Sequence, residues 1–378
     1  MRVAVPLERK EGEKRVALVP DIINKLTRLG YEVAIESGAG DNSQGTDAAY
    51  TAAGASVVKG DVIASADIVL SVQPLTPAQM GTLKNGAATI SFLSTVTAVD
   101  SIEAAVKAGA TTFSLELVPR ISRAQSMDAL TSQALCAGYR AVLVGAEMSP
   151  RFFPLLMTAA GTVTPAQVLV LGAGVAGLQA IATARRLGAV VSAYDVRPSS
   201  ADEVKSMGAT FIELELESLA GAGGYAREMT EERAAKQREL LTPYIAKSHV
   251  IITTAAVPGR TAPRLMTQAM IDSMEPGTVI VDLAAETGGN VEGSKPGEVV
   301  VTSGGVRIWG GKDVPSQLPF HASSLYSRNV VNLLTLLTTP AKDGAPVALN
   351  LDFADEIISA AAVTHAGQRR DPSAGGAK

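Results

Sequence analysis

The chain has 378 residues, of which 47% are hydrophobic, 19% charged and 4% aromatic, a length and composition typical of a two-domain α/β protein. Its 33 basic and 37 acidic residues give a net charge of −4, which excludes the basic excess of a nucleic-acid-binding protein. The single cysteine, Cys136, excludes an internal disulfide, and the lack of a long apolar run or signal-peptide segment predicts a cytoplasmic protein without a membrane span.

The first 125 residues predict an α/β unit. Short apolar runs predict strands at residues 3–5, 31–35, 68–72, 89–93 and 112–115. A helix over residues 22–29 is predicted between Pro20, which suits a helix start, and Gly30, which suits a helix end. A second helix is expected at residues 101–107. Strands that alternate with short helices predict a parallel sheet.

The rest of the chain predicts a second unit, reached by a helical connection. Residues 126–160 are expected to form a long helix that Pro150 and Pro154 interrupt. Cys136 is expected to pack in this helix rather than to react. Later strands are predicted at residues 211–214, 250–253, 278–283 and 306–309.

The stretch from residue 167 to residue 197 has the most specific pattern. A buried apolar strand at residues 168–171 leads directly into Gly172, Gly174 and Gly177, which have the G-x-G-x-x-G spacing. In this pattern the first glycine allows a tight turn, the second lets a pyrophosphate approach the backbone, and the third lets the next helix lie close to the strand. The N-terminus of that helix favours an anion. The pattern predicts dinucleotide binding.

Asp195 ends the second strand of this stretch. A carboxylate at this place accepts hydrogen bonds from the adenosine ribose and repels a 2′-phosphate, which favours NAD over NADP. Arg197, two residues later, leaves the alternative open, because a nearby Arg can bind that phosphate.

These patterns together predict an α/β protein with two Rossmann-like doubly wound parallel-sheet domains and a cleft between them. A helix near residues 323–337 is expected to return to the first domain, and the polar residues from about 364 onwards predict a disordered tail. The first domain is therefore expected at 1–130 plus 318–378. The dinucleotide-binding domain, with the interdomain helix, is expected at 131–317.

One candidate site segment lies just before the interdomain helix. Arg120, Gln125 and Asp128 could grip an amide and a charged ring through hydrogen bonds without transferring protons. Apolar residues at every third position between them fit the start of an amphipathic helix equally well.

Other candidates lie in loops. Tyr225, among glycines, could be a lid over a ligand or part of an ordinary surface loop. Residues 253–259 and 282–289 follow strands, where such folds bind ligands. Glu286 could contact a ligand or be a plain loop carboxylate. The histidines form no metal-binding pair, and His321 is the one general-base candidate among them.

Over nearly its whole length the chain resembles the NAD(H)-binding component of proton-translocating NAD(P) transhydrogenase, in the form with a separate alpha-1 subunit. Besides the fingerprint, the resemblance rests on the segments PLERKEGEKRVALVP, PRISRAQSMDALTSQ, GGYAREM, ITTAAVPGR and VIVDLAAETGGN. It implies direct hydride transfer between NAD(H) bound here and NADP(H) held by a partner beta subunit, coupled to proton movement through a membrane subunit, alpha-2. It also implies a homodimer attached through these partners to the inner face of the cell membrane.

The resemblance also implies which residues form the site. Arg120, Gln125 and Asp128 would hold the nicotinamide and Tyr225 would close over it, by position rather than as acids or bases. The cofactor-binding residues implied are Arg120, Ile121, Ser122, Gln125, Asp128, Thr131, Gly172, Gly174, Val175, Ala176, Gly177, Asp195, Val196, Arg197, Gly224, Tyr225, Gln237 and Ala256. No metal is expected.

Alanine dehydrogenase is the alternative, because it is similar along much of the chain, including Arg15. Its K-V-K-E-P motif reads SVQP at residues 71–74, and its L-H-L-A motif reads FLST at residues 92–95. The Lys that would hold the substrate and the His that would exchange a proton are therefore absent. Oxidation of an amino acid needs a proton acceptor, whereas hydride transfer between two nicotinamide rings needs none. This difference favours the transhydrogenase interpretation.

Overall fold

The computed structural model describes residues 1–215, 230–256, 260–342 and 345–370. The strands of these residues, in chain order, are β1 Arg2–Val5, β2 Glu32–Glu36, β3 Ser56–Val58, β4 Ile68–Leu70, β5 Ala88–Ser91, β6 Thr111–Ser114, β7 Leu156–Thr158, β8 Gly161–Val163, β9 Gln167–Leu171, β10 Val190–Tyr194, β11 Thr210–Phe211, β12 Val250–Thr253, β13 Val279–Asp282, β14 Val299–Val301, β15 Arg307–Gly310, β16 Thr338–Thr339, β17 Ala348–Leu349, β18 Ala362–His365 and β19 Gln368–Arg369. The α-helices are α1 Pro20–Arg28, α2 Asp47–Ala52, α3 Pro77–Met80, α4 Val99–Lys107, α5 Ala129–Met148, α6 Val175–Arg186, α7 Ser200–Ser206, α8 Glu231–Ala246, α9 Gln268–Asp272, α10 Pro319–Leu336 and α11 Glu356–Ala361. Within the described ranges, no helix has both the length and the apolar character needed to cross a bilayer.

The chain divides into two compact units, Met1–Gln133 with Pro315–Lys378, and Ala134–Val314. The described strands of the first unit form a sheet in the order β19-β18-β6-β5-β4-β1-β2-β3. Strands β1 to β6 pair in parallel, as predicted, and β18 and β19 add an antiparallel edge. Helix α1 begins with a proline and ends before Gly30, whose φ of 98° suits glycine.

The second unit contains a sheet in the order β11-β10-β9-β12-β13-β15-β14, in which only β14 is antiparallel among the described strands. Strand β9 is buried on both faces: Val168 and Val170 lie in one hydrophobic cluster, and Leu169 and Leu171 in another. This explains its unbroken apolar run. Both units are thus α/β folds with mainly parallel sheets, which confirms the predicted fold class.

Two predictions along the chain are wrong. The helix expected over residues 126–160 ends at Met148, and β7 and β8 then pair as an antiparallel hairpin. The tail expected to be disordered from about 364 instead begins with β18 and β19, up to Arg369. Thr364 is fully buried, and its hydroxyl donates to the carbonyl of Ala110 at 2.8 Å, so a polar sequence here fills a sheet edge.

Charged side chains cluster where β1 and β4 end. Glu13 and Arg15 form a buried ion pair with 2.6 Å between Oε2 and Nη2, and Ser316 Oγ donates to the same carboxylate. Although burial raises it, the hydrogen bonds and charge of Arg15 bring the pKa of Glu13 down to about 2. Desolvation, supported by the charge of Glu13, raises the pKa of the neighbouring Glu8 to about 7 despite a hydrogen bond from the Val72 N–H.

We expect Glu8→Gln to flatten the pH dependence of stability between about pH 5 and 7. The folded protein holds the Glu8 proton up to about pH 7. In the unfolded chain the carboxyl ionises near 4.5, so its stabilising contribution is present below about pH 4.5 and lost as the pH rises to about 7. The shift corresponds to at most about 3 kcal/mol.

Urea unfolding of both proteins from about pH 5 to pH 8 measures this difference. His249, whose pKa is lowered mainly by burial, titrates in both proteins and cancels from the difference. Curves of the free energy of unfolding against pH that run parallel for the two proteins would contradict the assignment.

Candidate functional site

The second unit has a crevice at its topological switch point. Strand β9 lies between β10 and β12, so the chain runs outward in both directions from this place, and ligands of such sheets bind beyond the carboxyl ends of the strands. A pocket with about 270 Å³ of empty space opens there. Its walls are formed by Gly172, Tyr194, Asp195, Val196, Gln237, Ala255 and Leu265. This volume is below the roughly 300–1,000 Å³ that encloses a whole drug-sized ligand, so these walls fit one end of a larger molecule.

The three fingerprint glycines differ in what surrounds them. Gly172 has a φ of 101°, and a Cβ on it would lie 2.6 Å from Thr254 Oγ1. A Cβ on Gly177 would lie 1.9 Å from the carbonyl oxygen of Gly172, so only glycine lets α6 start this close to the turn. A Cβ on Gly174 would meet nothing within 4 Å. Two of the glycines are therefore required by the protein itself, and the third borders open space.

The N-terminus of α6 faces this open space. Gly174 precedes the helix and offers no side chain to cap the first N–H groups. Uncapped N–H groups at a helix start, together with the helix dipole, bind anions such as phosphates. Val175, the first helical residue, is exposed, whereas Ala180 and Ile181 are buried against the sheet.

Asp195 is fully engaged within the protein. Its carboxylate accepts hydrogen bonds from the Ala173 N–H at 2.7 Å and from Arg197, whose N–H and Nε lie at 2.9 Å and whose Nη2 lies at 3.1 Å. Four bonds occupy the lone pairs of a carboxylate. The hydrogen bonds to Asp195 raise the pKa of Arg197. A ribose hydroxyl would therefore have to displace one bond of Arg197, and both the acid and the Arg of the sequence prediction lie at the same place.

Gln237 offers an unused hydrogen-bonding group to the pocket. It lies on α8 and is only 3% exposed, and its Oε1 has no hydrogen-bond partner among the described residues. A buried amide oxygen without a partner costs free energy, which a ligand with an N–H or O–H donor would recover. The residues present thus fit a ligand with an anionic group at α6 and a donor group at α8.

Sequence reasoning missed the residues that shape the loop after β12. Asn290 accepts from the Ala255 N–H at 3.0 Å and donates to the carbonyls of Ala255 and Pro263 at 2.7 and 2.8 Å. Asp282 is fully buried and accepts from Thr253 Oγ1 at 3.0 Å. The candidate segment 282–289 ends one residue before Asn290, so the signal was a polar residue just after a predicted strand.

Gly138 of α5 was also missed. A Cβ at this position would lie 2.1 Å from the carbonyl oxygen of Ala176, so α5 crosses the first turn of α6 in direct contact. The available signal was a glycine inside a predicted helix, which usually has a packing reason. Cys136, two residues earlier, is buried in α5.

The segment from Arg120 to Asp128 lies in the first unit and contains a 3₁₀ helix, Ser122–Met127. Ala124 and Met127 are buried, which confirms the amphipathic interpretation. Arg120, Ser122 and Gln125 are exposed, and Ile121 is partly buried against the core. Asp128 caps α5 by accepting from the N–H and hydroxyl of Thr131 at 2.8 and 2.6 Å. One face of the segment is structural and the other presents polar side chains.

The remaining candidates are dispersed or undescribed. Gly224 and Tyr225 lie outside the described residues, whereas Ala256 ends a described range. Glu286 accepts from the N–H of Asp313 at 3.0 Å. His321 is exposed near the start of α10, where its ring meets the edge of Phe320 with 5.0 Å between the ring centroids. Among the described residues, no group of three or more His, Cys, Asp or Glu side chains could hold a metal ion.

Comparison with known proteins gives a consistent result. The N-terminal domain of alanine dehydrogenase/PNT matches residues 4–137, and its C-terminal domain matches residues 141–372. The first polypeptide of the split alpha subunit of NAD(P) transhydrogenase from Rhodospirillum rubrum is 47% identical over 97% of each chain. Alanine dehydrogenase of Mycobacterium tuberculosis is 34% identical, covering 78% of this chain and 76% of that protein. A crystal structure of transhydrogenase from Sinorhizobium meliloti superposes with a TM-score of 0.85, at 42% identity, over 99% of this chain and 100% of that one. The chain therefore belongs to the alanine dehydrogenase/PNT family, among the alpha subunits of NAD(P) transhydrogenase.

Proposed function

We propose that this chain binds NAD(H) and exchanges a hydride with NADP(H) held by a partner beta subunit. The observation that carries the proposal is the open space at Gly174, in front of the uncapped start of α6 and beside Asp195. This arrangement suits the pyrophosphate and ribose of a dinucleotide. Asp195 favours NAD(H), because a 2′-phosphate would lie against its carboxylate.

The first unit supports placing the second nucleotide on another chain. Glu36 at the end of β2 accepts from the Leu7 N–H at 2.8 Å and pairs with Arg9, much as Asp195 accepts from its own turn. The turn after β1 contains no glycine, however, and Glu8 accepts from the N–H of Val72 there. Side chains of the protein thus fill the position that the dinucleotide would take.

The mechanism that follows is one of position. Bound NADH supplies the hydride, and the transfer needs no proton acceptor on this chain. Arg120, Gln125 and Asp128 hold the nicotinamide through hydrogen bonds, and Tyr225 closes over it. Gln237, Ala256 and the residues beside the fingerprint hold the rest of the dinucleotide. Rate then depends on how accurately the ring is held.

A rate assay tests the proposal and separates it from two alternatives. The purified chain, mixed with the purified NADP-binding partner, NADH and NADP⁺, should reduce NADP⁺. An alanine dehydrogenase would instead produce NADH steadily from NAD⁺ and alanine without a partner, which Gln73 disfavours, since it occupies the place of the substrate lysine and donates to Glu13 at 2.7 Å. A non-catalytic NAD sensor would bind NADH and remain inert in both assays.

The β7–β8 hairpin supports the proposed homodimer. All residues of both strands are exposed, including Met157 at 77%, and Phe152 just before them is 60% exposed. An isolated two-stranded hairpin is marginally stable, and a contiguous exposed apolar patch marks an interaction site. We propose that the hairpin contacts a second copy of the chain, and that attachment to the membrane occurs through the partner subunits, with the alpha-2 subunit spanning the bilayer.

We expect Met157→Lys to weaken this dimer, because a charge would be buried at the contact. Sedimentation or light scattering at several protein concentrations measures the monomer fraction, and a shift of the dissociation constant of at least about tenfold is expected. Val301→Lys is the matched control, since Val301 is 61% exposed on the edge strand β14, outside the hairpin. Equal mass distributions for the two variants would place the interface elsewhere.

A further inference from the structure

The main-chain carbonyl of Ser126 is held by two side-chain amides of α10. Asn329 Nδ2 donates to it at 3.0 Å and Asn332 Nδ2 at 3.1 Å. The two asparagines are three residues apart, on one face of the helix. Two donors use both lone pairs of a carbonyl oxygen, so the position of Ser126 is set from α10. Ser126 directly follows Gln125, the exposed amide of the proposed nicotinamide site.

Each amide is itself oriented by a donor to its oxygen. Ser132 Oγ donates to Asn329 Oδ1, and Lys25 Nζ donates to Asn332 Oδ1, both at 2.7 Å. Because these donors take the oxygens, the NH₂ groups are the ends that face Ser126. Asn329 is nearly buried, so water competes little for its bonds.

The same segment is fixed from its other end. Arg123 Nη1 lies 2.6 Å from Asp355 Oδ2, which joins the 3₁₀ helix to the start of α11. Ala124 and Met127 are buried in the core of the first unit. The backbone on both sides of Gln125 is therefore held by contacts to α10, to α11 and to the core, while the Gln125 side chain is exposed.

We propose that Asn329 and Asn332 are positioning residues for hydride transfer, which act on the nicotinamide through Ser126 and Gln125. The inference rests on the proposed function, in which Gln125 holds the nicotinamide. A displacement of about 1 Å at the reacting ring can slow a reaction about 100-fold. The affinity for NADH depends mainly on the rest of the dinucleotide, bound in the second unit. The effect of losing this support should therefore fall on the rate and spare the affinity.

Isosteric Asn→Asp substitutions isolate the two donors. In Asn329→Asp and Asn332→Asp, one carboxylate oxygen still accepts from Ser132 or Lys25, and the other replaces the donor and repels the Ser126 carbonyl. The double variant should slow single-turnover transfer from NADH to NADP⁺ on the partner about 10- to 100-fold, with an NADH dissociation constant within about threefold of the parent. Each single variant should be slowed less, because the remaining amide still holds the carbonyl.

Asn24→Asp is the matched control, because Asn24 is exposed on α1, and it should leave the rate unchanged. An unchanged rate in the double variant, while Gln125→Asn is slow, would overturn this inference and leave the proposed function standing. Unchanged rates in both would remove the proposed function and the inference with it. Parallel loss of rate, NADH affinity and melting temperature would indicate a purely structural role and overturn the positioning role. Asn332→Asp alone, whose carboxylate can pair with Lys25, decides the question if the double variant does not fold.

Discussion

Replacing Gln125 by Asn should slow hydride transfer about 100-fold while the affinity for NADH changes less than about threefold. The variant keeps the amide and shortens its stem by one methylene, which withdraws the hydrogen-bonding group by more than 1 Å. Near-contact of the two reacting carbons is the whole of the proposed catalysis, and such a displacement costs about two orders of magnitude in rate. Gln125 is exposed on a segment whose backbone is fixed, so the shortened side chain cannot follow the ring.

The measurement separates rate from binding. Single-turnover transfer in the presence of the NADP-binding partner gives the rate, and quenching of NADH fluorescence gives the dissociation constant. Gln167→Asn is the matched control, because Gln167 is exposed at the amino end of β9, opposite to the end where ligands of such sheets bind. Equal losses of rate and affinity in Gln125→Asn would show that Gln125 contributes uniform binding and not position.

Gly177→Ala should abolish measurable NADH binding and destabilise the second unit, whereas Gly174→Ala should weaken binding and leave the fold intact. The new Cβ at 177 would lie 1.9 Å from the Gly172 carbonyl oxygen, so the turn and the start of α6 must move apart. Overpacking of this kind costs about 1–3 kcal/mol or more. At 174 the Cβ would meet no protein atom within 4 Å, and φ of −75° with ψ of −169° suits alanine.

Thermal unfolding and NADH titration of both variants test this pair together. Gly304→Ala provides the control, since the nearest atom to its Cβ would be Thr302 Oγ1 at 3.8 Å. If Gly174→Ala bound NADH as well as the parent, the open space before α6 would not be where the pyrophosphate lies. If Gly177→Ala kept both its stability and its affinity, the close approach of α6 to the turn would not matter for either.

The fold class and the fingerprint turn were predictable because their signals are local. The run from β9 through Gly172 and α6 to β10 lies within a few tens of residues, and each step has a spacing that the backbone imposes. The turn at Gly30 was predictable for the same reason, since a helix end needs a residue that tolerates positive φ. The hairpin β7–β8 was missed because Leu156 and Met157 look like buried residues but are exposed. The NAD(H) site assignments remain predictions that the experiments above test.

By itself the sequence determined where the chain turns, which strands are buried on both faces, and that a glycine turn meets a helix N-terminus before Asp195. Only the tertiary structure decided which distant groups support that site. Asn329 bonds to the carbonyl of Ser126 across 203 residues, Asn290 bonds to Ala255 across 35, and Thr364 completes a sheet edge across 254. The physical reason is that a hydrogen-bonding side chain has no periodicity that names its partner: an asparagine reads the same in sequence whether it faces water or holds a loop.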